Sequence, residues 1–182
     1  MKRVAFSFIG KDRPGIIAEV SRVLFEAGCN IEDTTMTILE GEFAMILIAS
    51  LPSSQVRKKL EKAFKQGRQR WGLHSFWKTL PGETPPREKH PFGSKTYLVT
   101  VMGKDRTGIV YETSRILAQA GLNITDLNSK ILGDGKKSIF AMILEVDIPP
   151  GFPLRRLEPA WQRLRKRFQM DVTVKPVERL SL

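Results

Sequence analysis

An aspartate, an arginine and a glycine in one short loop, with an asparagine fifteen residues beyond the glycine, are the groups in this chain best placed to do chemistry. They occur as Asp12, Arg13, Gly15 and Asn30, and again as Asp105, Arg106, Gly108 and Asn123. A glycine-bounded loop that enters a helix leaves several backbone N–H groups unpaired, and the helix dipole adds positive potential at the same end. Together they attract an anionic group such as the carboxylate of an amino acid. Gly15 and Gly108 let a ligand approach the backbone closely. Asp12 and Asp105 accept from an ammonium group or, as plain structure, cap the helix. Arg13 and Arg106 contact a ligand or pair with a neighbouring carboxylate. Asn30 and Asn123 carry both donor and acceptor for an α-amino acid, or serve only the turn that precedes them. The order of elements is expected to bring both asparagines near their loops.

Other chemistry finds little support. The single cysteine, Cys29, has Leu122 as its counterpart and reads as a small core residue; it cannot form an intrachain disulfide, which fits a reducing compartment. His74 near a strand start and His90 in a linker do not make a site. No Cys, His or carboxylate cluster has metal-ligand spacing, no nucleophile–base pair is evident, and no loop matches a phosphate or dinucleotide fingerprint. Catalytic residues, metal and cofactor are therefore expected to be absent.

The elements that must position these groups are duplicated. Between positions 10–39 and 103–132, 17 of 30 residues agree, including Gly-Lys-Asp-Arg, Gly-Ile, Ala-Gly and Asn-Ile-x-Asp. A period near 93 residues suits two small domains better than a solenoid unit. In the first copy Arg3 to Ile9 reads as a strand. Pro14 opens a helix whose apolar positions Ile16, Ile17, Val20, Val23 and Leu24 end at Gly28. Asn30 to Leu39 alternates as a half-buried strand does, Glu40-Gly41-Glu42 is a tight turn, and Phe43 to Leu51 is a more apolar strand. A second helix carries Val56, Leu60, Ala63, Phe64, Gly67 and Trp71 on one face, and Leu73 to Leu80 is the last strand. The second copy repeats the order with a longer hairpin turn at Gly133-Asp134-Gly135-Lys136. Pro159 marks the start of its second helix, with Leu154 to Glu158 as a lead-in turn. The order β-α-β-β-α-β predicts an α+β, ferredoxin-like unit: a four-stranded antiparallel sheet with two helices on one face. Domains are expected at 1–80 and 94–178, joined by a proline-rich extended linker at 81–93.

These residues resemble the ACT domain, a small amino-acid-sensing module, and most closely the tandem proteins of the glycine cleavage system transcriptional repressor type. The motif Gly-x-Asp-Arg-Pro-Gly-Ile, a helix ending in Ala-Gly and a strand opening Asn-Ile-x-Asp carry the likeness. The same motif opens the regulatory domain of formyltetrahydrofolate deformylase. The resemblance implies a ligand at the loop where two domains meet side by side. Its contacts would be Asp12, Arg13, Pro14, Gly15, Ile16, Asn30 and Ile31, with Asp105, Arg106, Thr107, Gly108, Ile109, Asn123 and Ile124 in the second copy. Thr107 in place of Pro14 departs from the pattern. The resemblance also implies a small amino acid as ligand, with glycine the family's own, and a regulatory protein partner. It further implies a pseudo-twofold pair of domains, and a homodimer is an added expectation.

Composition adds one feature. Thirty Lys and Arg against nineteen Asp and Glu give a net charge of +11. The excess crowds the second helix of each copy, at Arg57, Lys58, Lys62 and Lys65 and at Arg155, Arg156, Arg163 and Lys166. A one-sided basic surface is what non-specific nucleic acid binding uses, although a charged stripe opposite an apolar face is also ordinary solvated surface. The base-stacking motif of RNA-binding modules with this strand order is missing. The longest apolar run, Phe43 to Leu51, is too short to span a bilayer and no signal peptide is evident, so a cytoplasmic location is expected. The reading is a non-enzymatic, amino-acid-responsive regulatory protein. The alternatives are a nucleic-acid-binding protein working through the basic helices and a regulatory subunit of a one-carbon or amino-acid enzyme.

Overall fold

A computed structural model of the chain describes residues 2–53, 55–81, 90, 93–133 and 138–177. The chain divides into two compact units, Met1–Pro85 and Pro86–Leu182. The boundary falls inside the expected linker, most of which lies outside the described residues, as does the hairpin turn after Gly133.

In the first unit β1 (Lys2–Lys11), α1 (Ile16–Glu26), β2 (Asn30–Leu39), β3 (Glu42–Leu51), α2 (Val56–Trp71) and β4 (His74–Thr79) form a sheet of order β2-β3-β1-β4 with antiparallel neighbours. The second unit repeats it with β5 (Lys95–Lys104), α3 (Ile109–Gln119), β6 (Asn123–Leu132), β7 (Ile139–Ile148), α4 (Glu158–Phe168) and β8 (Met170–Pro176), ordered β6-β7-β5-β8. This is the predicted ferredoxin-like arrangement, twice.

Pleat alternation sends Val4, Phe6 and Phe8 of β1 and Phe43, Met45 and Leu47 of β3 toward the helices, where they meet Ile16, Val20, Leu24, Leu60 and Phe64. Phe6, Phe8 and Phe64 pack at ring separations of 5.1–6.3 Å. In the second unit Val99, Val101, Met142 and Leu144 meet Ile109, Leu117, Trp161 and Leu164. Helices α1 and α3 end alike: Gly28 and Gly121 turn left-handed at φ 72°. The next N–H, of Cys29 and Leu122, reaches back five residues to Leu24 and Leu117. A 3-10 turn at Leu154–Leu157 precedes α4, with Pro159 in its first turn, as the sequence predicted.

One expectation fails. Strands β2 and β6 are not half-buried; apart from partly covered Ile31, Ile124 and Thr125 they are exposed along their length. Each is an edge strand, paired on one side only, and contributes little to the core that the helices cover. Alternation in the sequence marked the strand but not its place in the sheet.

Candidate functional site

The loop between β1 and α1 is built by two glycines with different duties. A Cβ on Gly10 would stand 2.7 Å from the Gly72 carbonyl oxygen, and one on Gly103 would stand 2.9 Å from that of Gln169. Both glycines exist because the chain entering the last strand passes close by. Gly15 and Gly108 instead sit at the helix N-termini with φ 92° and 99°, a left-handed turn that side chains resist. Space beside Gly15 is open. The Asp12 N–H donates to the Gly41 carbonyl at 2.8 Å and ties the loop to the β2–β3 turn. Asp12, Arg13, Pro14, Asp105, Arg106 and Thr107 are all exposed.

No side chain caps either helix. The capping role open to Asp12 and Asp105 is therefore not taken, and among the described residues neither carboxylate has a hydrogen-bond or ion-pair partner. Arg13 likewise has none, whereas Arg106 Nη2 donates to Gln169 Oε1 at 2.8 Å. Each helix thus starts without a side-chain cap, with an exposed aspartate three residues before its N-cap glycine. Ile16 and Ile109 are 2% exposed and belong to the cores, so only their backbone faces the loop; Ile31 and Ile124 also pack against core residues.

The asparagines are elsewhere, and the expectation that each lies near its loop is corrected. Asn30 is level with Ser50, which is level with Arg3 at the start of β1. Asn123 is level with Asp147 and Thr96. Lys11 and Lys104, which open the loops, lie eight residues further along, about 26 Å at the rise of a strand. Helices α1 and α3 run back along the sheet before β2 and β6 begin, so loop and asparagine occupy opposite ends of one unit. Asn123 and Ile124 line a shallow hollow of about 420 Å³ with Tyr111, Ser114, Arg115, Ala118 and Leu122.

Beneath Asn123 the structure reveals a cluster that the sequence reading missed. His90 Nδ1 lies 2.7 Å from Asp147 Oδ1, and the Thr96 hydroxyl is 3.4 Å from each partner. The available signal was Asp147 itself, an acid near the end of a mostly apolar strand at the place of Ser50. Cys29 is a partly buried thiol packed against the first core, and burial pushes its pKa up, away from nucleophilic use. Among the described residues no group of three His, Cys, Asp or Glu side chains is arranged to hold a metal ion.

The basic residues take the outer faces expected of them. Arg57, Lys58, Lys62 and Lys65 on α2 are exposed, as are Arg155 and Arg156 in the turn before α4 and Arg163 and Lys166 on it. Among the described residues no helix is long and apolar enough to cross a membrane.

Two small α+β units, each with a glycine-started helix and an exposed loop before it, make up a duplicated ferredoxin-like module. The chain belongs to the ACT domain family, whose pattern matches residues 3–78 and again 95–175. ACT domains are regulatory, amino-acid-binding modules. A 68-residue stretch is 44% identical to a UPF0237 protein of Methanocaldococcus jannaschii, covering 35% of this chain and 76% of the relative. A protein of unknown role from Galdieria sulphuraria has a solved structure with a TM-score of 0.75 at 27% identity, covering 97% of this chain and 99% of its own. A "putative glycine cleavage system transcriptional repressor" matches at a TM-score of 0.70 and 21% identity over 98% of both chains, a likeness of fold.

Proposed function

We propose that the chain is a non-enzymatic regulatory protein in which a small amino acid binds at the loops after β1 and β5 and alters engagement of a regulatory protein partner. The observation that carries this reading is the uncapped start of α1 and α3. Neither helix start has a side-chain cap, and an exposed aspartate stands three residues before each N-cap glycine. A zwitterion offers the complementary pair, its carboxylate for the helix start and its ammonium for Asp12 or Asp105. Glycine is the ligand proposed first, on the resemblance to the repressor type; transcriptional or metabolic control follows from the same likeness. Within one unit an amino acid cannot reach both loop and asparagine, so Asn30 and Asn123 take part only if a ligand draws its contacts from two different domains. For docking of the partner, or of a second copy of the chain, support comes from the edge strands. Met36, Ile38 and Leu39 on β2 and Leu127, Ile131 and Leu132 on β6 are exposed in each unit taken by itself.

The test is a thermal-shift and calorimetric screen of the full chain against the twenty amino acids. A ligand that binds only the folded state raises the melting temperature with concentration above its Kd. Saturable binding of glycine or another small amino acid is expected, weakened by Asp12→Asn with Asp105→Asn, which touch no structural partner. No shift and no heat with any amino acid at millimolar levels would remove the sensor reading.

A further inference from the structure

The charge of this chain sits in two places. Helix α2 has seven Lys and Arg against Glu61 alone, and residues 154–168 have six against Glu158 alone. Those excesses of six and five account for the whole net charge of +11; elsewhere seventeen cations face seventeen carboxylates.

Side-chain contacts separate the engaged cations from the free ones. Arg57 bonds Glu61 at 3.2 Å and lies over the Trp77 ring, and Lys59 donates to the Glu26 carbonyl. Arg165 binds Glu158 and the Val172 carbonyl, and Arg167 binds Glu112. Lys58, Lys62 and Lys65 have no such partner among the described residues. Their spacing of four and three puts them in one stripe opposite the buried Leu60, Phe64 and Gly67. On the second unit Arg163 and Lys166 stand free on the outer side of α4, with Arg155 and Arg156 free in the turn before it.

We propose that α2 and α4 each bind the phosphate backbone of double-stranded nucleic acid without reading its sequence. The stripe from Lys58 to Lys65 rises about 10 Å along its helix, enough to face roughly three successive phosphates of one strand. Two observations set this ligand apart from other polyanions. None of the exposed large apolar side chains lies on α2 or on residues 154–168, so these faces lack the apolar centre that an acidic protein partner would bury. Single strands are held by stacking bases on exposed rings. On the two helices themselves Phe64, Trp161 and Phe168 are buried and Trp71 is half-covered, so their outer faces present cations and no exposed ring.

The experiment is fluorescence anisotropy of the full chain with two unrelated duplexes of about 25 base pairs across roughly 50 to 200 mM salt, where backbone binding falls steeply. Equal affinity for both sequences and a linear fall of log K with log salt are expected. Lys58→Gln, Lys62→Gln and Lys65→Gln together should flatten that slope by up to about 3, at about 0.9 per lost phosphate contact. Arg155→Gln, Arg156→Gln, Arg163→Gln and Lys166→Gln should act in the same direction, with melting temperatures unchanged because all seven side chains are exposed. Asp12→Asn with Asp105→Asn should leave duplex binding intact, which separates this result from that of the amino acid screen. Failure to bind at the lowest salt, or a slope unmoved by both sets, would overturn the proposal. A preference of more than tenfold between the sequences, or capture of polyglutamate but not of duplex, would do so equally.

Discussion

His90 Nδ1 stands 2.7 Å from Asp147 Oδ1, joining the stretch of the second unit that precedes β5 to an inner strand of its sheet. Asp147 lies on the pleat of β7 that faces away from the helices, yet its side chain is only 4% exposed. Its Oδ2 has no hydrogen-bond partner. Replacing His90 by alanine leaves a buried carboxylate held only by the distant Thr96 hydroxyl, and stability of the second unit should fall by about 2 kcal/mol. Differential scanning calorimetry checks this through the second unit's transition. Asp147→Ser, which installs the residue that the first unit has at Ser50, should recover most of the loss in the His90→Ala background. An unchanged transition in His90→Ala would mean that the pair contributes nothing.

That pair also marks where the sequence stops being legible. Duplicated motifs, Gly28 and Gly121 at the helix ends, and the lead-in turn before Pro159 are local signals, each written within a few residues, and they yielded the fold. His90 and Asp147 are 57 residues apart and belong to a linker and a strand, so no spacing rule joins them. Asn30 was misplaced for a related reason. It follows the loop closely in sequence, but α1 intervenes and carries the chain back to the far end of the sheet. Asp12 was open to reading as a cap because acids near helix starts commonly are, whereas the left-handed turn at Gly15 leaves the helix uncapped. Burial of β2 depended on which strand becomes the edge, a property of the whole sheet.

Gly10 and Gly15 should respond differently to alanine. A Cβ at Gly10 meets a backbone carbonyl and Leu73, neither of which can swing aside, so Gly10→Ala should cost about 1–3 kcal/mol through overpacking. At Gly15 the space is free and only the positive φ is violated, a penalty of about 1–2 kcal/mol. Chemical denaturation of the two variants gives the comparison. Gly10→Ala should leave amino acid affinity unchanged once the protein is folded, while Gly15→Ala should weaken it by altering the helix start. A Gly10→Ala variant as stable as the parent would contradict the close approach to Gly72.

Thr113 is fully buried on α3, and its hydroxyl has no partner, while the first unit has Val20 at the same place. Valine is nearly isosteric and removes a desolvated polar group. Thr113→Val should therefore stabilise the second unit by about 1 kcal/mol, raising its melting temperature by several degrees. Trp161 Nε1 is also buried without a partner and must keep its ring to fill the core. Trp161→Phe should thus give back less than Thr113→Val, because it trades a lost indole volume against the relieved N–H. Calorimetry of both variants sets the order.

Glu112 binds two cations, Arg115 Nη2 at 2.6 Å within α3 and Arg167 Nη1 at 2.7 Å on α4, and so ties the two helices of the second unit together. Hydrogen bonding from Arg115 is the largest influence holding its carboxyl below the usual range, with the charges of Arg115 and Arg167 acting in the same direction against partial burial. A folded-state pKa below the unfolded one means that the charged form stabilises the fold. That contribution is complete above the ordinary glutamate value and disappears as pH falls through the lowered one. Glu112→Gln should therefore melt at a lower temperature than the parent at neutral pH, and the two curves should converge in acid. High salt should narrow the gap at neutral pH too, because Arg167 is largely exposed and its half of the bridge is screened. A gap between parent and variant that stays constant from neutral pH into acid would show that Glu112 acts through its shape and not its charge.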